Sequence, residues 1–312
     1  MKHKFTILTP THNRSELLPR LYKSIKEQTY KDFVWLVIND HSVDSTLDVL
    51  NEMKSEGVVD MKIVNNPSPK NGKHTVLKYG FELCDTPYLV DIDDDDELLP
   101  NALEVFNNEW SEIEREGKSY IGSIRALTVD ELGQIVGDIS KNKLFEPFEA
   151  SYLDVTYQRK LKIENLTCFC VTAVREAKIF PVCYYLQGQE THLAESIFWG
   201  RLSRMYQSKY IPNVLRLYHY SASSIIRHSK TRQYYLNLLV GGKILFEEQN
   251  DYLKKSPILY LRWVFIIGLL SCALGLSYYR LMKNMKRGKV CLAILFLPCF
   301  MLSYIWFRFR IK

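Results

Sequence analysis

Four short runs of apolar and β-branched residues, Phe5 to Thr9, Val34 to Ile38, Met61 to Val64 and Tyr88 to Ile92, recur at intervals of about 25 residues. Each interval holds a segment with helical apolar spacing. Leu17, Leu18, Leu21, Tyr22 and Ile25 line one face of the first, with Ser15 as its cap, and the second runs from about Asp44 to Met53 behind Ser42. A third covers about His74 to Leu83, and a fourth follows Pro100 with Leu103, Phe106, Trp110 and Ile113 on one face. One-faced helices alternating with apolar strands bury themselves by covering both sides of a mostly parallel, Rossmann-like sheet, so the expected class is α/β. After residue 120 the rhythm changes. Ile121 to Val129, then Gly133 and Gly137 around Gln134-Ile135-Val136, read as a strand and hairpin. A helical stripe returns at Ala194, Ile197, Phe198, Arg201, Leu202 and Met205, and Tyr210 to Tyr220 reads as extended.

Charge divides the chain more sharply than its overall +6 suggests. Residues 254–312 hold eleven Lys and Arg and no Asp or Glu, which leaves 30 basic against 35 acidic residues, a net −5, in residues 1–253. An acidic body argues against a nucleic-acid partner, and a basic, apolar tail argues for an anionic membrane surface. Residues 258–279 and 290–307 are each near the roughly 20 residues that cross a bilayer, with Trp263, Tyr278, Tyr279, Tyr304 and Trp306 suited to its interfaces. The first ten residues hold no apolar run long enough for a signal peptide. The expectation is therefore a body on the cytoplasmic face of the cell membrane, anchored by a C-terminal apolar helical hairpin or by two helices lying partly in the cytoplasmic leaflet. Among the seven cysteines, Cys84, Cys168, Cys170 and Cys183 lie in the body without CxxC spacing and read as reduced thiols.

The chemistry concentrates after the strands. Asp91-Ile92-Asp93-Asp94-Asp95-Asp96-Glu97 places six carboxylates within seven residues at the end of an apolar strand. Such crowding raises the pKa of its members unless a cation binds, and a divalent metal removes the penalty. The run lacks the glycine and spaced ligands of an EF-hand loop. Pro10-Thr11-His12-Asn13-Arg14 follows the first strand and Asn39-Asp40-His41-Ser42 the second, so all three clusters fall at the edge where open α/β sheets bind ligands.

In order and spacing, Pro10-Thr11-His12-Asn13, Gln28-Thr29-Tyr30-Lys31-Asp32-Phe33, Asn39-Asp40-His41-Ser42-Val43-Asp44 and Asp93-Asp94-Asp95-Asp96-Glu97-Leu98-Leu99-Pro100 resemble family 2 glycosyltransferases of the GT-A fold. The chain departs from that family's usual pattern at His12, where Tyr is common, and at Asn39, where Asp is. The resemblance implies that Pro10, Thr11 and Asn13 line a nucleotide pocket, that Asp40 contacts the base, and that Asp93 and Asp94 lie near the ribose and sugar. It implies that Asp95 binds Mn²⁺ or Mg²⁺ on the donor diphosphate, with Lys73 helping at the phosphates. It also implies residues 1–125 as the nucleotide-sugar half and residues 126–253 as the acceptor side, with residues 254–312 the membrane tail read from their charge and apolar runs.

Sugar transfer with inversion needs a base that deprotonates the acceptor hydroxyl as it attacks C1 of the donor. Glu190 and Glu195 both precede Phe198-Trp199-Gly200-Arg201-Leu202, and the resemblance favours Glu195. His219 and Arg227 are further candidates for closing over the donor. The implied function is metal-dependent transfer from a nucleotide sugar, UDP-linked by family habit, to a hydroxyl of a glycan or lipid-linked acceptor. A processive synthase is disfavoured because Leu259 stands where QxxRW needs glutamine before Arg262-Trp263. A sugar-nucleotide nucleotidyltransferase would favour a glycine-rich loop after the first strand, which Thr9 to Ser15 lacks, and a catalytically inactive sugar-nucleotide-binding module is the non-enzymatic alternative.

Overall fold

Strands buried along their whole length need cover on both faces, and the first two are of this kind. In the computed structural model, which describes residues 3–69, 72–138, 146–159, 161–180, 184–186, 189–191, 194–220 and 231–275, β1 (Phe5–Thr11) and β2 (Phe33–Asn39) are almost wholly buried. The chain continues from β1 through α1 (Leu18–Lys26) to β2, then α2 (Thr46–Ser55), β3 (Met61–Asn65), α3 (Lys73–Leu83) and β4 (Tyr88–Asp91). These strands lie parallel in the order β3-β2-β1-β4, with Thr11 opposite Asn39 and Leu8 opposite Asp91. The sequence rhythm thus predicts this half well.

Beyond it come β5 (Glu97–Leu98), α4 (Ala102–Arg115), β6 (Ile121–Asp130), β7 (Gly137–Asp138), β8 (Phe148–Ala150) and α5 (Tyr152–Asp154), which runs into a π-helical turn at Val155–Arg159. They are followed by β9 (Lys162–Ile163), β10 (Asn165–Cys170), α6 (Val171–Glu176), the hairpin strands β11 (Tyr184–Leu186) and β12 (Gln189–Thr191), α7 (Glu195–Leu202) and β13 (Gln207–Tyr218). The main sheet continues β4-β10-β6-β13-β5, with β8 also on β13. Here the mostly parallel expectation is corrected. β10 is antiparallel to both β4 and β6, and β13 is parallel to β6 but antiparallel to β5 and β8, so the sheet is mixed. Parallel neighbours need long crossover connections, and the helix-separated rhythm that supplies them ends after α4. The core beneath this sheet includes Trp35, Phe106, Trp110 and Phe5, with Tyr88 stacked on Trp110 at 4.4 Å.

Cα packing divides the chain into two units, one of residues 1–156, 160–181 and 201–222, the other of residues 157–159, 182–200 and 223–312. In the second, α8 (Arg232–Glu248), α9 (Asn250–Leu253) and α10 (Pro257–Ala273) follow one another. Gly242 of α8 lets the Trp263 ring of α10 approach, since a Cβ there would stand 2.9 Å from it, and Phe246 meets Tyr260 edge to face.

This packing corrects the anchor expectation. Among the described residues, no helix is long and apolar enough to cross a membrane. Helix α10 has 17 residues, a length of about 25 Å against a hydrocarbon core of about 30 Å, and its Val264, Ile267 and Leu270 are buried. The reading of residues 258–279 as a span that holds the body on the cytoplasmic face is therefore withdrawn. The segment 290–307 lies outside the described residues. Cys84 and Cys168 are buried free thiols and Cys170 is half-buried, as read from their spacing.

Candidate active site

The parallel register brings the ends of β1, β2 and β4 to one edge, and the loops that follow are tied to each other. Ser15 and Ser42 do not cap α1 and α2, as the sequence suggests. Instead the Ser15 hydroxyl donates to Asp44 at 3.0 Å, and the Asn13 amide donates to Ser42 Oγ at 2.9 Å. The Val43 amide donates to Asn13 Oδ1 at 2.8 Å and the Arg14 amide to Thr46 Oγ1 at 2.9 Å. Asn13 and His41 hold left-handed backbone angles, φ 53° and 61°, a conformation that costs about 1 kcal/mol or more outside glycine. The cross-loop hydrogen bonds fix both turns against that cost.

Asp40, only 6% exposed, is hydrogen-bonded on both carboxylate oxygens: Asn66 Nδ2 donates to Oδ1 and the Gly72 amide to Oδ2, each at 2.7 Å. His12 Nδ1 donates to the Asp40 carbonyl at 2.6 Å. Thr11 closes β1 beside it, buried, and Pro10 is half-buried one residue earlier.

The acidic run is met by cations from several elements. Lys73 Nζ donates to Asp93 Oδ1 at 2.5 Å, and Arg14 Nε lies 3.6 Å from Asp94 Oδ1. Arg20 of α1 donates to the Asp95 carbonyl, and its Nε stands 3.8 Å from Glu97. Arg216 of β13 places Nε 3.6 Å from Asp96 Oδ2 while a terminal nitrogen donates to Glu164 at 2.8 Å. His219 donates its amide to Asp96 Oδ1, and its ring nitrogens stand 2.6 Å from Glu97 and 2.7 Å from Glu131.

Burial and these partners set the protonation of the run. Burial pushes the Asp94 carboxyl up to about 7, against the pull of the Thr11 hydroxyl and Arg14. Asp96, 1% exposed, is pushed by burial to about 7 against Arg216, with Asp93 and Asp95 adding to the rise. Asp95 is raised as well, by burial and then by Asp93. Enclosure also disfavours the charge of Asp93, yet Lys73, Arg216 and Arg14 together hold it below the ordinary carboxylate value.

Asp93, Asp95 and Asp96 each bring a carboxylate oxygen within 4.8 Å of the other two. Hard carboxylate oxygens are the donors that Mn²⁺ and Mg²⁺ take. The buried Asp96 Oδ2 accepts no hydrogen bond, and the Asp95 carboxylate has no cation within ion-pair distance among the described residues. The donor set fits a divalent cation. Asp94 points to Arg14 instead, outside this trio.

The structure thus brings together Pro10, Thr11, Asn13, Asp40, Lys73, Asp93, Asp94 and Asp95 in the first unit. Glu195 is half-buried at the start of α7 and belongs to the second unit, while Glu190 pairs with Tyr185 in the β11–β12 hairpin. Arg227 lies outside the described residues. Sequence reading missed Asp96 as a member of the trio, along with Asn66, Arg20 and Arg216. The one available signal for Arg216 was a lone charge between Leu215 and Leu217 in an extended apolar segment.

A mixed sheet with polar loops at its carboxyl edge and a carboxylate trio after β4 defines a GT-A-like fold. Glycosyl transferase family 2 matches residues 6–180, more than half of the chain, so the chain belongs to that family and is a glycosyltransferase. A Campylobacter jejuni relative, GalNAc(5)-diNAcBac-PP-undecaprenol β-1,3-glucosyltransferase, is 25% identical over 297 residues, 93% of this chain and 87% of its own. The Staphylococcus aureus poly(ribitol-phosphate) β-N-acetylglucosaminyltransferase TarP is 30% identical over 204 residues, 60% of this chain and 58% of its own. Among solved structures, S. aureus TarS 1–349 in complex with UDP-GlcNAc is similar with a TM-score of 0.61 and 14% identity, over 96% of this chain and 81% of that one. The mannosyltransferase PcManGT from Pyrobaculum calidifontis, in complex with GDP-Man and Mn²⁺, is similar with a TM-score of 0.53 and 13% identity, over 98% and 88%. At these identities the structural likeness establishes the fold.

Proposed function

We propose that this glycosyltransferase moves a sugar from a UDP-sugar to a hydroxyl of a glycan or lipid-linked acceptor by an inverting in-line displacement that needs Mn²⁺ or Mg²⁺. The observation that carries the metal requirement is the convergence of Asp93, Asp95 and Asp96, with no described cation at ion-pair distance from the Asp95 carboxylate. UDP is supported by the UDP-GlcNAc bound to TarS, and the lipid-linked acceptor by the name of the C. jejuni relative.

In this reading residues 1–125 bind the donor, and residues 126–253 receive the acceptor. Asp40, held by Asn66 and Gly72, presents a fixed acceptor edge to the base, while Pro10, Thr11 and Asn13 shape the nucleoside pocket. Asp94, paired with Arg14, orders the loop beside the ribose. Asp93, Asp95 and Asp96 would hold the metal, which would offset the negative charge that develops on the departing diphosphate. Lys73 pairs with the phosphates. Glu195 takes the proton of the acceptor hydroxyl during its attack on C1, a role that rests on the family resemblance.

The test is binding of a panel of nucleotide sugars followed by thermal shift, with Mn²⁺ and with EDTA. A UDP-sugar should raise the melting temperature only with the metal present. Equal stabilisation with EDTA would remove the metal requirement, and preference for a guanosine or thymidine donor would remove the UDP assignment.

A further inference from the structure

The loops after β1 and β2 are joined by a chain of hydrogen bonds whose direction is fixed at both ends. At one end the Val43 amide can only donate, so the side-chain oxygen of Asn13 is the atom that meets it, at 2.8 Å. Asn13 therefore turns Nδ2 toward His12 Nε2, 3.2 Å away. At the other end the Asp40 carbonyl can only accept, so His12 Nδ1, at 2.6 Å, carries a hydrogen. The amide nitrogen of Asn13 offers hydrogens and accepts none, which leaves Nε2 as the acceptor. His12 is thus neutral, in the Nδ1–H tautomer, and the chain runs from Val43 through Asn13 and His12 to Asp40.

A proton added at Nε2 would face the amide hydrogens of Asn13. Turning that side chain to offer its oxygen gives up the Val43 amide, so neither orientation serves both neighbours of a charged His12. The turns at stake are the two that hold left-handed angles, at Asn13 and His41, and such turns persist only while surrounding bonds hold them. The other ionisable groups of these loops are engaged elsewhere. The Asp40 carboxylate accepts from Asn66 and Gly72, His41 Nε2 meets the Ser68 carbonyl at 2.7 Å, Asp44 accepts from Ser15 and Thr46, and Arg14 stands beside Asp94.

Resting on the nucleoside pocket read above from Pro10, Thr11, Asn13 and Asp40, we propose that His12 is a positioning residue of that pocket and its proton-sensitive latch. Neutral, it locks the loop after β1 to the loop after β2. Protonated, it releases Asn13 and loosens both. The donor binds the locked form, so the bound protein holds fewer protons at this site and affinity falls as pH falls, within the range of about pH 5 to 8 where histidine changes charge.

Long-range proton–nitrogen correlation by NMR on the full chain reads the tautomer, with His12→Asn assigning the His12 signals. At about pH 8 the ring should be Nδ1–H with Nε2 bare, and on acidification the Asn13 and Val43 amides should shift with the midpoint of the His12 ring. An Nε2–H tautomer, or amides that do not follow the ring, overturns the latch. UDP affinity with saturating Mn²⁺ is then compared at about pH 8 and about pH 6 in wild type and in His12→Asn, which keeps a donor for the Asp40 carbonyl and does not titrate, after circular dichroism confirms folding. Asp94 and Asp96, with carboxyls at about 7, titrate in both proteins, as does the terminal phosphate of UDP, so the latch is read as the difference between the two falls. Wild type should lose about two- to tenfold more affinity than the variant, the range of one hydrogen bond. Equal falls overturn the effect of the latch on the donor. Absence of UDP binding at either pH, while the Val43 amide still follows His12, overturns the pocket reading and keeps the latch between the loops.

Discussion

The guanidinium of Arg216 stands 3.6 Å from the Asp96 carboxylate, and both residues are buried. A strand from the second half of the sheet thus supplies the charge that faces a carboxylate from the first. Breaking a buried pair by removing one partner costs up to about 3 to 5 kcal/mol, and less where the remaining group, like Asp96 with its carboxyl already at about 7, can take up a proton. Arg216→Met should lower unfolding stability in urea by that order, and Arg216→Met combined with Asp96→Asn should recover most of it. A double variant no more stable than the single one would mean that Arg216 acts through Glu164 and Thr128 alone, its other partners at 2.8 and 3.2 Å.

Asp95 differs from its neighbours because they already have cations. Asp95→Ala should therefore remove Mn²⁺-dependent UDP affinity while leaving the melting temperature of the metal-free protein unchanged or higher, since burial and Asp93 both disfavour its charge. Calorimetric titration with Mn²⁺ and with EDTA measures the first effect and a thermal melt the second. Wild-type Mn²⁺-dependent affinity in the variant would move the metal away from Asp95.

Glu195→Gln keeps shape and hydrogen-bonding capacity but cannot take up a proton. Transfer should fall by about two to four orders of magnitude while UDP-sugar affinity persists, and Glu190→Gln should change little. Paired affinity and rate measurements on both variants separate the outcomes. A severe loss confined to the Glu190 variant would transfer the base role to the β11–β12 hairpin.

Gly80 tests how closely α3 must lie on β1. A Cβ at this position would stand 2.5 Å from Leu8 Cδ2 and 2.7 Å from Cδ1, and Leu8 is fully buried. Alanine favours a helix over glycine by about 1 kcal/mol, but overpacking a core typically costs about 1 to 3 kcal/mol. Gly80→Ala should therefore be destabilising on balance, and because α3 carries Lys73 it should also weaken UDP binding. A variant as stable as wild type in urea would show that the helix can lift from the strand.

Much of the fold was legible because its first half is encoded locally. Apolar runs at strand length and helices with one apolar face admit few arrangements, and the end of each strand then lies at a known edge of the sheet. That alone places Thr11, Asp40 and Asp93 on one side. The individual hydrogen bonds were less legible: Ser15 and Ser42 have the composition of caps, yet their hydroxyls bond to the neighbouring loop because β1 and β2 are adjacent. Nothing in the residues around Ser15 states which loop will lie beside it.

The sequence by itself determined the βαβ half, the concentration of carboxylates after β4 and the family, since each depends on periodicity or on residues close together in the chain. Only the tertiary structure decided the antiparallel placement of β10, the use of α10's apolar side chains in packing against α8, and the division of the acidic run into charges that are paired and one that is not. Asp93, Asp94 and Asp96 meet Lys73, Arg14 and Arg216, which come from α3, the loop after β1 and β13, while Asp95 meets none of them at ion-pair distance. Ion pairing acts over a few ångströms, so the partner of each carboxylate is fixed by how distant segments pack, and no spacing in the chain records that.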